Sequence, residues 1–363
     1  MSDFLINDRD VAKFPLTKIN NLAQDSKTSS STLVGTPDND VLLGTPGDDV
    51  IDALAGNDDI VTTFGGNDKI DAGSGDDNAA AGDGDDQVMG KAGTDFIRGE
   101  AGTDILDGGT ENDILIGGDG DDILNSGDGN DLLFGDRLEF GGFGNDILKG
   151  GAGDDKILGA EGNDQIFGGR DKDILNGSLG DDVVYGGKNN DQVFGFTGND
   201  KVYGDRGDDV VNGGDGNDLV FGGSGNDKLL GLSGSGSQSN FGKGEIDTLT
   251  GNRGHDTFVL GAALPNGTKS AFYNDGDTAT AGTGDYALIT DFSISGHSLG
   301  ERRDTIQLSG SASDYSLSTS PTGSLSGTGI FYNDGASPEL IGIMARISPS
   351  DLNLSNSNQF TFV

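Results

Sequence analysis

GGAGDDKIL (150–158) and GGDGNDLVF (213–221) are two copies of one nine-residue phrase, Gly-Gly-x-Gly-x-Asp-x-apolar-x, whose period organises most of the chain. Its aspartate recurs without a slip at Asp146, Asp155, Asp164, Asp173, Asp182, Asp191, Asp200, Asp209, Asp218 and Asp227. An earlier series runs Asp40, Asp49, Asp58 and, after one extra residue, Asp68, Asp77, Asp86, Asp95, Asp104, Asp113, Asp122 and Asp131; Asp247 and Asp256 resume it later. Of these 23 positions, 18 have Gly two residues before the Asp, and nearly all have an apolar residue two after it.

Composition narrows the options. With 66 Gly among 363 residues, no Cys, no Trp and 32% hydrophobic residues, the chain cannot build a conventional core over most of its length. A net charge of −39 excludes a nucleic-acid partner held through phosphates and argues against adsorption to anionic lipid. Of 61 acidic residues only seven are Glu. A merely solvated acidic surface mixes Asp and Glu freely. Asp instead suits tight turns, where its short carboxylate can hold a hard cation beside backbone carbonyls. Disorder is the competing reading of a Gly-rich acidic chain. It gives no reason for an apolar residue to stay in phase with Asp over more than 200 positions.

The period predicts an all-β fold: a right-handed parallel β-roll (β-solenoid), with a six-residue turn and a three-residue strand in each nonapeptide. Glycines at the first, second and fourth positions allow φ > 0 and close backbone passage. Two repeats make an 18-residue coil. Leu148, Ile157, Ile166, Leu175, Val184, Val193, Val202, Val211, Val220 and Leu229 are expected to alternate between two sheets across a thin core. Ala79 is its weakest position. Turns n and n+2 then stack on one edge, so their carboxylates converge on a shared cation, with turn carbonyls completing the oxygen set that Ca²⁺ prefers. Stacked in this way, 23 turns offer at most 21 shared sites, and +42 of calcium charge would oppose the −39 of the chain. About 20 calcium ions are therefore expected, and folding and calcium binding should be one event.

The array resembles the calcium-binding β-roll of the repeats-in-toxin (RTX) family, and the repeat unit is a known calcium-binding β-helix signature. The later segments NDGDTATAGTGDYALITDF (274–292) and RRDTIQLSGSASDYSL (302–317), with the terminal FTFV, are similar to the ends of RTX-type calcium-binding proteins, cyanobacterial ones above all. The resemblance implies export through type I secretion machinery by an uncleaved C-terminal signal, and an extracellular or cell-surface location. The N-terminus reads as no cleavable signal peptide, and no apolar run is long enough to insert in a membrane. Weak sites fit such a route, since a self-repelling chain stays threadable in low cytosolic calcium and folds outside.

Three segments are expected: residues 1–33 as an extension, linker and candidate assembly arm, residues 34–260 as the calcium-binding array, and residues 261–363 as a β-rich cap. In the cap, YALITDF (286–292), RDTIQLSG (303–310), GIFYNDG (329–335), ELIGIMARI (339–347) and QFTFV (359–363) read as strands. Insertions near RLEFGGF (137–143) and LSGSGSQSNFG (232–242) should become edge loops. Asp38, Glu111, Asp171, Asn189 and Glu245 replace the Gly before the key Asp, and His255 stands where Asn or Asp is usual. GHSLG (296–300) matches a nucleophile elbow around Ser298, but no His follows it and no helical pattern surrounds it, so no enzyme is expected. The leading expectation is a self-standing structural protein that folds, and polymerises into filaments or a sheath, on binding calcium. A calcium-dependent module of a secreted effector or adhesin is the alternative; the varied outward residues Lys156, Gln165, Gln192 and Lys201 count against a regular adhesive face.

Overall fold

A computed structural model describes residues 30–62, 64–136, 143–232, 245–263, 269–271, 286–294, 303–320, 326–333 and 338–363. Three of the expectations fall outside these residues: the arm at residues 1–29, most of the two insertions, and the GHSLG segment.

Alternation of repeats puts odd and even strands into two separate sheets, one of 16 strands and one of 14. Within the array neighbours are parallel and for the most part 18 residues apart: Gln165–Arg170 pairs with Val183–Lys188, and Lys156–Glu161 with Ile174–Leu179. This is the expected β-solenoid. The expected strand length is corrected, however. Most array strands run six residues, as in Ile147–Ala152, and the ladder continues through the glycines, with Gly151 opposite Gly169. The chain corners at that position with φ of 107° at Gly151, so it can turn without leaving the ladder.

The ten apolar residues expected in the core are fully buried, and so is Ala79. The pitch survives every insertion. Asp122 reaches Asp146 across 24 positions and Asp218 reaches Asp247 across 29, so the aspartate columns run on past both.

The array ends without a break in either sheet. Ile246–Arg253 pairs with Tyr286–Ile289, which pairs with Glu339–Ala345, while Thr257–Val259 leads through Thr305–Leu308 to Phe360–Phe362. Of the five segments read as strands after residue 260, four contain one, and GIFYNDG overlaps the strand Gly327–Tyr332. Tyr315–Thr319, which the sequence did not announce, forms an antiparallel hairpin with Gly327–Tyr332 and closes the end of the larger sheet. Larger side chains fill this end: Phe258 packs near Phe292, Tyr315 packs near Phe362, and the Tyr315 hydroxyl donates to Ser309 O at 2.6 Å.

Several non-glycine residues take the left-handed conformation at the second repeat position, among them Ala160 at φ 86° and Phe196 at φ 83°. Left-handed backbone costs an L-residue about 1–2 kcal/mol. Ala160→Gly should therefore raise stability in calcium by about 1 kcal/mol, measured by chemical denaturation; an unchanged or lowered midpoint would contradict the strain assigned there.

Candidate metal centre

Each repeat sends its aspartate inward at the turn, and the coil pitch stacks these side chains in two columns. Within a column, the backbone N–H of each key Asp donates to Oδ1 of the key Asp one coil later, as from Asp155 to Asp173 at 2.9 Å and from Asp182 to Asp200 at 2.8 Å. The second oxygen is left over. From Asp58 to Asp227, all nineteen key aspartates keep Oδ2 buried and without a hydrogen bond. A buried polar atom without a partner is costly, and a carboxylate oxygen more so. Nineteen in regular array are a systematic demand for a cation.

The first glycine of the repeat shows where that cation would sit, and it corrects the sequence reading. It does not need φ > 0; Gly186 and Gly204 lie outside the left-handed region. It is required because a side chain there would collide with the carboxylate. A Cβ on Gly204 would stand 2.6 Å from Asp209 Oδ2 and 2.6 Å from Gly222 O, and one on Gly186 would meet Asp191 Oδ2 at 2.8 Å and Gly204 O at 2.7 Å. Glycine keeps open a cradle faced by a carboxylate oxygen and by a carbonyl of the next coil. That donor set is all oxygen, as a hard divalent cation requires. Among the described residues no three acidic or imidazole side chains form a metal cluster. Carboxylates shared between turns, with backbone carbonyls, are the donors this fold offers instead.

Burial and stacking also disturb ionisation. Desolvation first, then the neighbouring carboxylates of the column, push Asp173 to about 9 and Asp182 to about 8. Asp218 is likewise pushed to about 9, by burial and then by Asp247. In the folded chain without a cation, many of these groups would be protonated near neutral pH.

The turns are not equivalent. At the N-terminal end the Asp40 and Asp49 Oδ2 atoms already accept the Thr36 and Thr45 N–H groups, both at 2.5 Å. Ala53, Thr62, Ala72 and Ala81 stand in the cradles of Asp58, Asp68, Asp77 and Asp86, and Ser126 in that of Asp131; all five are buried. The sequence already contained this distinction, but the role of the first glycine became visible only with the carboxylate in place. Gly204→Ala, which fills one open cradle, should raise the calcium midpoint of folding. Ala81→Gly should lower it; calcium titration followed by circular dichroism measures both, and equal midpoints would refute the cradle's role.

Where Gly is missing before the key Asp, Glu111, Asp171 and Asn189 adopt left-handed φ of 75–77° and keep the turn shape. The position before the key Asp runs a second ladder: Asn145 Oδ1 accepts Asn163 N–H, and Asn163 Oδ1 accepts Asp181 N–H. His255 substitutes in it, its Nδ1 accepting Arg303 N–H at 3.0 Å, while its side chain is exposed as expected.

Two carboxylates escaped the period. Asp304 extends one column, Oδ1 accepting Asp256 N–H at 3.1 Å from 48 residues away, a separation no nonapeptide count could find. Asp136, beside the first long insertion, is buried with Oδ2 accepting Glu161 N–H at 2.9 Å; burial, then Asp164 and Glu161, push it to about 7.

Segments 34–65, 62–97, 80–115, 98–133, 140–175, 167–195, 194–229 and 232–263 match the family model described as the RTX calcium-binding nonapeptide repeat (4 copies). Comparison with curated proteins gives no significant match. With the family model covering more than half of the chain and the β-solenoid built on its period, this is a calcium-binding repeat protein belonging to the RTX calcium-binding nonapeptide repeat family.

Proposed function

We propose that this protein is a secreted structural component of the cell surface or extracellular matrix, which folds on calcium and then self-assembles. The observation that carries the reading is the double column of buried, unpartnered Oδ2 atoms. The ligands would be the key aspartates from Asp40 to Asp256, at the positions given by the period, together with turn carbonyls. The open cradles from Asp95 to Asp122 and from Asp146 to Asp227 form the strongest set. Bound calcium supplies positive charge that lets the columns stay ionised in a dry interior. The chain supplies the rest: the Asp N–H groups orient the carboxylates, the first glycines keep the cradles open, and the apolar row excludes water.

Export in the unfolded state by type I machinery follows from the same physics, since like charges hold the calcium-free chain extended. An extension (1–33), a calcium array (34–260) and a cap carrying the secretion signal (261–363) remain the proposed division. No catalytic role is assigned. Among the described residues no helix is long and apolar enough to cross a membrane. Sedimentation and electron microscopy in chelator, then in millimolar calcium, test the reading. Filaments or sheets that appear only with calcium support it, and a folded but monomeric rod at every concentration would remove the assembly part.

A further inference from the structure

The outward face of the larger sheet changes character over four rungs. Phe167, Tyr185, Tyr203 and Phe221 occupy one position on successive strands, their rings nearly parallel with centroids 5.2, 4.7 and 4.8 Å apart. The ring faces are spent on one another, which leaves the electropositive edges and the Tyr hydroxyls for any neighbour. Three residues further along the same strands stand Arg170, Lys188, Arg206, Ser224 and, one rung on, Arg253. Like charges on directly neighbouring strands destabilise a sheet, and here three cations follow in succession. None of the four cations is in an ion pair with a described residue, although the carboxylate of Asp205 lies near Arg206. In a chain of net charge −39 such a row is an exception. An open groove of about 650 Å³ runs along it, lined by Lys188, Arg206 and Arg253 together with the acidic residues Asp205 and Asp291.

The corresponding corner on the opposite edge, after the even strands, carries the inverse surface. Successive rungs hold Asp119, Phe143, Glu161, Leu179, Thr197 and Asp215. Phe143 is 69% exposed and Leu179 48% exposed; they flank Glu161 and with it line a shallow depression of about 340 Å³. Both rows repeat at the strand spacing of about 4.8 Å, so one row laid along the other stays in register over its length. A free polyanion has no reason to match that spacing or to bring apolar groups alongside the cations. A second copy of this chain does both.

We infer that calcium-loaded molecules associate side by side, the Phe143/Leu179 row of one copy laid along the cationic row of the next, with Asp119 and Glu161 set against Arg170, Lys188 and Arg206. This rests on the self-assembly reading above and specifies its contact. Because the two edges differ, the contact is heterologous and repeats by translation, giving open rows or sheets rather than closed dimers.

The test is sedimentation velocity with electron microscopy of the full chain in millimolar calcium. It compares the wild type, the triple variant Arg170→Glu/Lys188→Glu/Arg206→Glu and the double variant Asp119→Lys/Glu161→Lys, with circular dichroism confirming that each folds. Each variant alone should sediment as a monomer, while an equimolar mixture of the two regains assembly through reversed charges. If a variant does not fold, Phe143→Ser replaces it and should shift the wild-type assembly midpoint at least tenfold in protein concentration. Assembly that persists in the triple variant overturns the inference and leaves self-assembly standing. A folded wild type that stays monomeric removes both, and calcium-dependent folding survives. A wild type that is monomeric until polygalacturonate is added, and then co-sediments with it, makes the groove a glycan site and overturns the inference.

Discussion

In excess chelator at pH 8 the chain should lose its sheet structure and expand to a radius of gyration of about 70 Å, the value for an unfolded chain of this length. Millimolar calcium should return it to a rod about 60 Å long, from fourteen parallel rungs per sheet at about 4.8 Å each. Small-angle scattering measures both states. Such a loss exceeds what the removal of a ligand does to most proteins, because here the ligand sites are the fold. One large apolar side chain per nonapeptide, however well buried, cannot offset the ordering of nine residues rich in glycine. The nineteen unpartnered Oδ2 atoms add an electrostatic cost to the metal-free fold. A compact scattering profile in chelator at pH 8 would show that the apolar ladder suffices alone, and would remove calcium from its structural role.

The second large effect is a reversal with pH. Without calcium, acidification from pH 8 to pH 4 should promote folding, where most proteins are destabilised. Burial and the stacked neighbours raise the key carboxyls from 3.8 to about 6 at Asp164, about 7 at Asp200 and about 9 at Asp173. A group raised in the folded state contributes stability that is fully present below its unfolded value and is lost as pH rises through its folded value. The window therefore runs from about pH 4 to about pH 9. Each pKa unit is worth about 1.4 kcal/mol, so one carboxyl moved from 3.8 to about 7 costs about 4 kcal/mol when held ionised. A column of them exceeds the usual 5–15 kcal/mol stability of a domain. With calcium the sign inverts, since protons and the cation compete for the same oxygens, and the calcium midpoint should rise steeply as pH falls below 7. Circular dichroism across pH, with and without calcium, separates the two arms. A metal-free chain that stays unfolded down to pH 4 would contradict the buried setting of the columns.

The period of nine, read with the apolar residue two places after each Asp, was enough to determine the two-sheet solenoid, the 18-residue coil, the identity of the core and the columns of aspartates. Each depends only on local repetition: a unit that cannot bury its apolar residue alone must stack on its neighbours, and equal spacing makes every stack alike. The tertiary structure decided what depends on shape at contact. Ladder bonding through the glycines, rather than a six-residue turn, follows from the backbone geometry at residues such as Gly151. The first glycine proved to be an opening for a carboxylate, which shows only when Asp209 Oδ2 and Gly222 O are seen to face one point. Asp304 joins a column from 48 residues away and Asp136 is buried beside an insertion; neither obeys a period, so no count could reach them. The cationic row and the opposite row of apolar and acidic residues were equally silent in the sequence. Arg170, Lys188 and Arg206 are scattered along the chain, and only the 18-residue coil brings them onto neighbouring rungs.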